Sequence, residues 1–417
     1  MNDPNENRPG YRKTKVGWIP EEWECTTLGI MAAPFRAGVS VNADDRPARD
    51  GECGVLKTSC VYSGVFNPQE NKVVKTEEID RVRVPVQRGC VIMSRMNTPT
   101  LVGANAYVDQ DWPTMFLPDR LWLIKPENDS RDDPIWFGYL MNATIVRNAV
   151  AARATGTSGS MKNVTQEDVR RIHVPRPQKE EQIAMSLLLL LWGQSIACVE
   201  EMLKAKKLRK KGLMQQLLTG KSRLPGFAGE WKERRLGDLF TERRETGRCD
   251  LPLLAITGSK GIVPAVDLDR KDASNQDKSK YLRICPGDIG YNTMRMWQGV
   301  NAVSSLEGIV SPAYTICTPK DYTHVGFMGH FFKYQFVVHQ FWRHSQGLVD
   351  DTLSLKYHNF ACIKLYVPEK EEQEAIALIL DAADEEIAAE ERRLLALQDQ
   401  KRGLMQKLLT GEVRVKV

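Results

Sequence analysis

Apolar positions along the chain follow two rhythms. In residues 178–219 they recur at helical spacing, at Ile183, Leu187, Leu190, Leu191, Ile196, Leu203, Leu208, Leu213 and Leu217. In residues 369–410 the series is Ile376, Leu380, Ala383, Ile387, Leu394, Leu397, Leu404 and Leu408. Neither stretch contains proline, and both are rich in Leu, Ala, Glu, Lys, Gln and Arg, which are good helix formers. A proline precedes each stretch, and Gly220 and Gly411 end them. Some 40 residues at 1.5 Å each make a helix about 60 Å long. A helix of that length leaves its apolar stripe wet unless something covers it. The two helices would most economically cover each other. A globular stretch lies between them and can return the chain, so the pattern predicts an antiparallel coiled coil. The alternative is two helices packed separately, each on its own domain.

The second rhythm is shorter. Runs of β-type residues at Cys90–Met93, Leu121–Ile124, Tyr281–Ile284, Ala313–Cys317 and Lys364–Val367 are bounded by Gly, Pro, Asn and Asp. Helical stretches are expected near Ile135–Ala151 and Met328–Trp342. Residues 17–175 and 224–367 are each about the size of one domain. The fold class predicted for them is α+β, with a mixed or antiparallel sheet. The expected division is 1–177, a first domain with its N-terminal segment; 178–222, a central long helix; 223–368, a second domain; and 369–417, a C-terminal long helix.

The chain is also written twice. Gly212-Leu-Met-Gln-Gln-Leu-Leu-Thr-Gly220 returns as Gly403-Leu-Met-Gln-Lys-Leu-Leu-Thr-Gly411, 191 residues later. Glu180-Glu181-Gln182 returns as Glu371-Glu372-Gln373 at the same offset, each behind a Val-Pro pair, Val174-Pro175 and Val367-Pro368. At the front of each half, Glu22-Trp23 with Leu28-Gly29 is echoed by Glu230-Trp231 with Leu236-Gly237. Between these markers the halves differ. The borders are alike and the interiors are not.

Composition narrows the class. The 417 residues are 42% hydrophobic and 27% charged, as expected of a folded protein, with a formal net charge of +5. That mild basicity permits nucleic-acid binding without arguing for it alone. The apolar stretch from Met185 to Trp192, interrupted by Ser186, is short of the 20 or so residues of a membrane span, so none is expected. Residues 1–10 lack the apolar stretch of a signal peptide. Nine scattered cysteines without a C-x-x-C pair suggest neither a disulfide framework nor a zinc site, and point to a reducing cytoplasm.

Late in each interior comes a loop of small and polar residues. The first carries Arg153, Thr155, Ser158, Lys162 and Asn163, and the second His344, Gln346, Lys356 and Tyr357. Gly, Ser and Thr let a backbone approach a phosphate closely, and the cations add charge. The plain alternative is an ordinary surface loop. A second loop type follows a short strand in each half: Arg95, Asn97 and Thr98, then Asn292, Arg295, Trp297 and Gln298. Arg, Asn and Gln pair bidentately with guanine and adenine edges. The run Lys204, Lys206, Lys207, Arg209, Lys210 and Lys211 most simply makes a solvated face. Contact with DNA phosphates or an acidic partner is the other reading.

Catalytic signatures are missing from the sequence. It has no G-x-x-x-x-G-K-[ST] loop, no H-E-x-x-H, no G-x-S-x-G elbow and no histidines spaced i, i+4. Asn67-Pro68 has only the first two letters of the Asn-Pro-Pro-aromatic motif of amino-methyltransferases and reads as a turn.

Taken together, these markers resemble the specificity subunit of type I restriction–modification systems over nearly the whole chain. The resemblance rests on Gly17-Trp-Ile-Pro-Glu-Glu-Trp23 with Leu28-Gly29, and on its echo from Leu224-Pro-Gly-Phe227 to Leu236-Gly237. It rests equally on the Val-Pro…Glu-Glu-Gln helix starts and the Gly-Leu-Met-Gln-x-Leu-Leu-Thr-Gly helix ends. Departures are Cys90, where the family often has the Asp seen at Asp288, and Arg176-Pro177, which lengthens the first Val-Pro junction. The resemblance implies a non-enzymatic chain with two target recognition domains, each reading one half of a bipartite, gapped double-stranded DNA site. It implies an antiparallel coiled coil that spaces them and holds two methyltransferase subunits, with Leu203, Leu213, Met214, Leu217, Leu394, Leu404, Met405 and Leu408 as expected partner contacts. S-adenosylmethionine is expected in those partners and no cofactor in this chain. A restriction or motor subunit is a further expected partner, and no membrane is. The competing classes are a coiled-coil scaffold joining two protein-binding domains and a stand-alone DNA-modifying enzyme.

Overall fold

The computed structural model describes residues 4–127, 131–156, 161–258, 260–268, 277–349 and 352–416. The longer helices are α1 (Pro134–Asn142), α2 (Thr144–Arg153), α3 (Lys179–Leu217), α4 (Val325–Phe331), α5 (Gln335–His344) and α6 (Lys370–Leu409). The chain divides into two compact units, one of Met1–Cys198 with Leu394–Val417 and the other of Val199–Arg393. The division falls inside both long helices. Each unit therefore owns the start of one long helix and the end of the other.

Unit 1 holds a four-stranded antiparallel sheet, in the order Asn105–Tyr107, Val91–Ser94, Leu121–Ile124, Arg36–Ala37. Beside it is a five-stranded mixed sheet in which Trp112–Phe116 runs parallel to Gly54–Leu56. Unit 2 holds a four-stranded antiparallel sheet, in the order Phe240–Glu242, Tyr314–Pro319, Ile289–Asn292, Asn301–Val303. Two smaller antiparallel pairs accompany it. The content is mixed helix and sheet, as the short apolar runs predict. The two expected interior helices are each broken in two. Ala143 is extended and separates α1 from α2. Phe332–Tyr334 separate α4 from α5. Asp133 caps α1 by accepting from the Trp136 amide at 2.8 Å.

The repeated motifs have a structural reason in both units. An entering strand pairs with a leaving strand: Glu24–Thr27 with His173–Arg176, and Lys232–Arg235 with Lys364–Val367. Leu28 and Leu236, both fully buried, then donate their amides to Ile172 and Ile363. A Cβ at Gly29 would stand 2.9 Å from the Arg170 carbonyl oxygen, and one at Gly237 3.1 Å from that of Ala361. The glycine of the Leu-Gly pair thus lets the chain pass this close to its own exit.

The helix starts and helix ends meet within each unit. In unit 1 the Glu181 carboxylate, at the start of α3, accepts from the Arg414 guanidinium beyond the end of α6 at 2.5 and 2.9 Å. The Trp23 indole donates to the same carboxylate at 2.9 Å. In unit 2 Glu372, at the start of α6, accepts from Arg223 beyond the end of α3, at 2.7 and 2.7 Å. The neighbouring glutamines repeat a second clamp. The Gln182 amide donates to Pro177 and accepts from the Asp133 amide, while Gln373 donates to Pro368 and accepts from the His324 amide. Asp133 and His324 are the caps of α1 and α4. Gly220 and Gly411 take left-handed conformations, with φ of +67° and +74°, and turn the chain back after each helix. Around these junctions Met185, Leu189, Leu408 and Leu409 enter the unit 1 core, and Leu217, Leu218, Ile376 and Leu380 that of unit 2.

Unit 2 also accounts for the basic run. Lys206 and Arg209 pair with Glu386, Lys207 with Glu391, and Lys210 with Asp384. From Lys207 to Lys210 the partners step back along α6 from Glu391 to Asp384, while Lys204 pairs with Glu201 on its own helix. The acidic partner of most of this run is α6. The apolar stripe is less continuous than the spacing predicts, since Leu187, Leu191 and Leu208 are exposed. By length and composition alone α3 could cross a membrane. Its start is packed into a protein core through Met185 and Leu189.

Arg414→Ala should lower the stability of unit 1 by about 2 kcal/mol, because it strips a buried carboxylate of a charged, two-bond partner. Arg223→Ala should do the same in unit 2. Urea unfolding followed by tryptophan fluorescence measures both, and unchanged midpoints would contradict the junctions' role.

Candidate functional site

The residues expected to face DNA fall into two groups once placed. In unit 1, Arg95 is partly buried and lines a surface hollow with Asp119, Asn163 and Gln166. Its Nε donates to the Asp119 carbonyl at 2.8 Å, and the Asp119 carboxylate lies 3.9 Å from its Nη2. Asn97 is buried. It donates to the Tyr62 and Ser94 hydroxyls, and its carbonyl accepts from the Thr98 amide. An asparagine with its amide thus engaged cannot offer a free edge to a base, so its expected reading role is replaced by holding the turn. Thr98, next to it, is exposed and shares a 3.3 Å contact with Thr100.

The first small-residue loop is met at its two ends. Ser158 lies outside the described residues. Thr155 and Asn163 exchange backbone hydrogen bonds at 2.8 Å, closing the loop at its neck. Lys162 reaches the Gly156 carbonyl, and Arg153 folds back onto the Ala149 carbonyl of its own helix. The strand Lys162–Asn163 pairs with Met96–Asn97. The structure thereby joins the two unit 1 groups, Arg95–Thr98 and Thr155–Asn163, that sequence order separates by more than fifty residues.

In unit 2 the Asn292–Gln298 turn is short and accessible. The Asn292 side chain accepts from the Met294 amide, and the Trp297 indole donates to the Met294 carbonyl. These bonds fix the turn, while Arg295 and Gln298 remain exposed with only a 3.4 Å contact between them. Gln346 and Ser354 close the second small-residue loop by a backbone bridge. Leu355 donates its amide to Thr293 and so ties that loop to the Arg295 turn. His344 bonds its own helix through Gln340. Lys356 is exposed. Tyr357 is not a surface ligand: its hydroxyl donates to the Phe240 carbonyl and its ring packs beside Phe360. Burial pushes its phenol pKa up. Each unit thus offers two adjoining loops with an arginine, exposed at Arg295 and held by Asp119 at Arg95.

The expected partner contacts divide in the same way. Leu217 and Leu408 are core residues, and Leu213, Met214, Leu404 and Met405 pack against those cores. They are spent inside the chain because each helix end is spliced into a domain. Leu203 and Leu394 are half-buried. The spacing had not separated these from Ile183, Leu187, Leu190 and Leu191, which form an exposed apolar row at the start of α3. Among the described residues no group of three or more His, Cys, Asp or Glu is arranged to hold a metal ion.

The departures from the family pattern are also explained. Asp288 is buried and accepts from Arg243, Thr318 and the Cys285 amide. Cys90, its counterpart, lies in an apolar cluster. The additional Arg176 forms a buried two-bond pair with Asp132 at 2.8 and 2.6 Å.

No family model matches the chain. It is 22% identical over 434 aligned positions to a protein of Methanocaldococcus jannaschii described as a putative type I restriction enzyme MjaX specificity subunit, covering 97% of each. It is 24% identical over 163 positions to the type I restriction enzyme EcoEI specificity subunit of Escherichia coli, covering 38% of this chain and 27% of that one. Its fold matches the crystal structure of the type I restriction–modification S subunit from M. genitalium with a TM-score of 0.58 at 13% identity, over 98% and 99% of the two chains. It also matches a chain from a structure of the type I restriction–modification system, with a TM-score of 0.55 at 16% identity, over 95% and 99%. In sequence and in fold, along nearly its whole length, the chain is similar to type I restriction specificity subunits.

Asn97→Ala should cost unit 1 about 1–3 kcal/mol, since it removes a buried, fully bonded amide. Arg295→Ala should leave stability within about 0.5 kcal/mol. Thermal melting of the two variants checks the contrast, and an equally stable Asn97 variant would return that residue to the surface group.

Proposed function

We propose that the chain is the DNA-specificity subunit of a type I restriction–modification complex. Residues 1–177 and 223–368 act as target recognition domains, each reading one half of a bipartite, gapped site in double-stranded DNA. Residues 178–222 and 369–417 act as the conserved helices, paired as an antiparallel coiled coil. Two methyltransferase subunits bind the chain and carry the S-adenosylmethionine chemistry, and a restriction subunit cleaves. The chain itself performs no catalysis, and the complex works in the cytoplasm.

The observation that carries this reading is the doubled junction. Glu181 with Arg414 and Glu372 with Arg223 stand at one sequence offset, each beside the start of one long helix and the end of the other. Two equivalent junctions in one chain offer two equivalent surfaces to two copies of one partner. The similarity to specificity subunits over almost the full chain supports the same reading. The exposed apolar row from Ile183 to Leu191 supports a partner on the helices. Base readout falls to Arg95 and Arg295, with the adjoining small-residue loops on phosphates.

Single-molecule methylation sequencing of the host genome, with and without this gene, tests the reading. Loss of N6-methyladenine at one two-part motif is expected, and an unchanged methylome in a host with an active partner would overturn it. Arg95→Ala and Arg295→Ala should each relax one half-site only, costing about 1–3 kcal/mol for a bidentate guanine contact. Uniform weakening on all sequences would mark a phosphate contact instead. Changing the length of both long helices together should alter the gap, at about 3.4 Å per base pair, and leave the half-site sequences as they are.

A further inference from the structure

Unit 1 contains a cavity of about 520 Å³ that no part of the DNA-reading argument uses. Its walls come from residues 63–66, from Arg88, Tyr107 and Asp109, from α1, from the first half of α3 and from the last turns of α6. Tyr139, Leu190, Ile196 and Met405 give it aromatic and apolar surface, and Arg88 stands exposed at its edge. Lys401 reaches in from α6, with its ammonium 5.6 Å from the centre of the Tyr139 ring. Among the described residues no carboxylate pairs with this ammonium. Burial alone pushes its pKa below the ordinary lysine value.

Gly193 of α3 lies beside this amine, in the helix interior where glycine is disfavoured relative to alanine. A Cβ at that position would stand 3.2 Å from Lys401 Nζ. The missing side chain leaves room for a cation that has no anion. A half-buried, uncompensated ammonium is an expensive arrangement unless something negative enters beside it. The volume falls within the usual range for small-molecule sites, as does a largely apolar lining with few polar groups.

We propose that this cavity binds a planar aromatic anion, its ring against Tyr139 and the apolar wall and its charge between Lys401 and Arg88.

Pyridoxal 5′-phosphate is a suitable probe, being planar, anionic and able to report on an amine. The unprotonated Lys401 amine adds to its aldehyde carbon, water leaves, and an imine forms. Borohydride then delivers hydride to the imine carbon and leaves a stable secondary amine. The full-length chain would be treated with one equivalent of probe, reduced and mapped by peptide mass spectrometry. Lys401 should carry the largest share of the label, although Lys204, with a side chain 73% exposed, is far more accessible. Benzaldehyde, which lacks the charge, should label Lys401 at least tenfold less. Gly193→Ala should lower the Lys401 label several-fold. Labelling that follows exposure would overturn the proposal. Equal labelling by the two aldehydes would overturn it as well, since that would report a reactive amine without an anion site.

Discussion

The structure depends on one short ionic contact made twice: a glutamate at the start of a long helix, held by an arginine just beyond the end of the other long helix. A buried carboxylate must be paired or it destabilises the fold. Glu181 meets this demand with Arg414 and Glu372 with Arg223. The partners are 233 and 149 residues apart in sequence, so neither pair forms until distant parts of the chain are in place. Around each pair the glutamine clamp, the left-handed glycine and the Leu-Gly close approach fall into register. The repeated motifs are therefore one device, and their spacing follows from what must meet.

The two junctions are similar without being identical. Trp23 donates to Glu181, whereas the indole nitrogen of Trp231, buried among the described residues, has no hydrogen-bond partner. Arg414 also lies over the Trp23 ring and reaches Glu22, and the pairing holds its pKa above the ordinary arginine value. Unit 1 thus closes on a denser polar cluster than unit 2. Unit 2 instead draws on aromatic packing, with Phe240, Phe332, Phe341 and Phe360 in mutual contact.

Much of this architecture was legible in the sequence. The helical spacing located both long helices to within a residue or two, because nothing in them breaks the period. The markers at one offset revealed the duplication. What they hold was not legible, since a hydrogen bond across two hundred residues leaves no local trace. The basic run on α3 read as a solvated face because most of its acids lie far along the chain, on α6. Asn97 and Tyr357 were read as surface ligands from residue type, which carries no information about burial. Arg295 was chosen in the same way, from residue type and its place after a short strand, and it stands exposed. The stripe of leucines could not be divided into core and surface positions, as both obey the same period.

Unit 1 is discontinuous, and this bears on how the protein is made. Residues 1–198 leave the ribosome first, yet Glu181 waits for Arg414, and the space beside Met185 and Leu189 waits for Leu408 and Leu409. Unit 2 is a single contiguous stretch and has its junction arginine, Arg223, before its glutamate. The order of synthesis is thus the reverse of the order of completion. The nascent first unit carries an open apolar seam until residues beyond Leu394 are made, and Leu408, Leu409 and Arg414 are the ones that seal it.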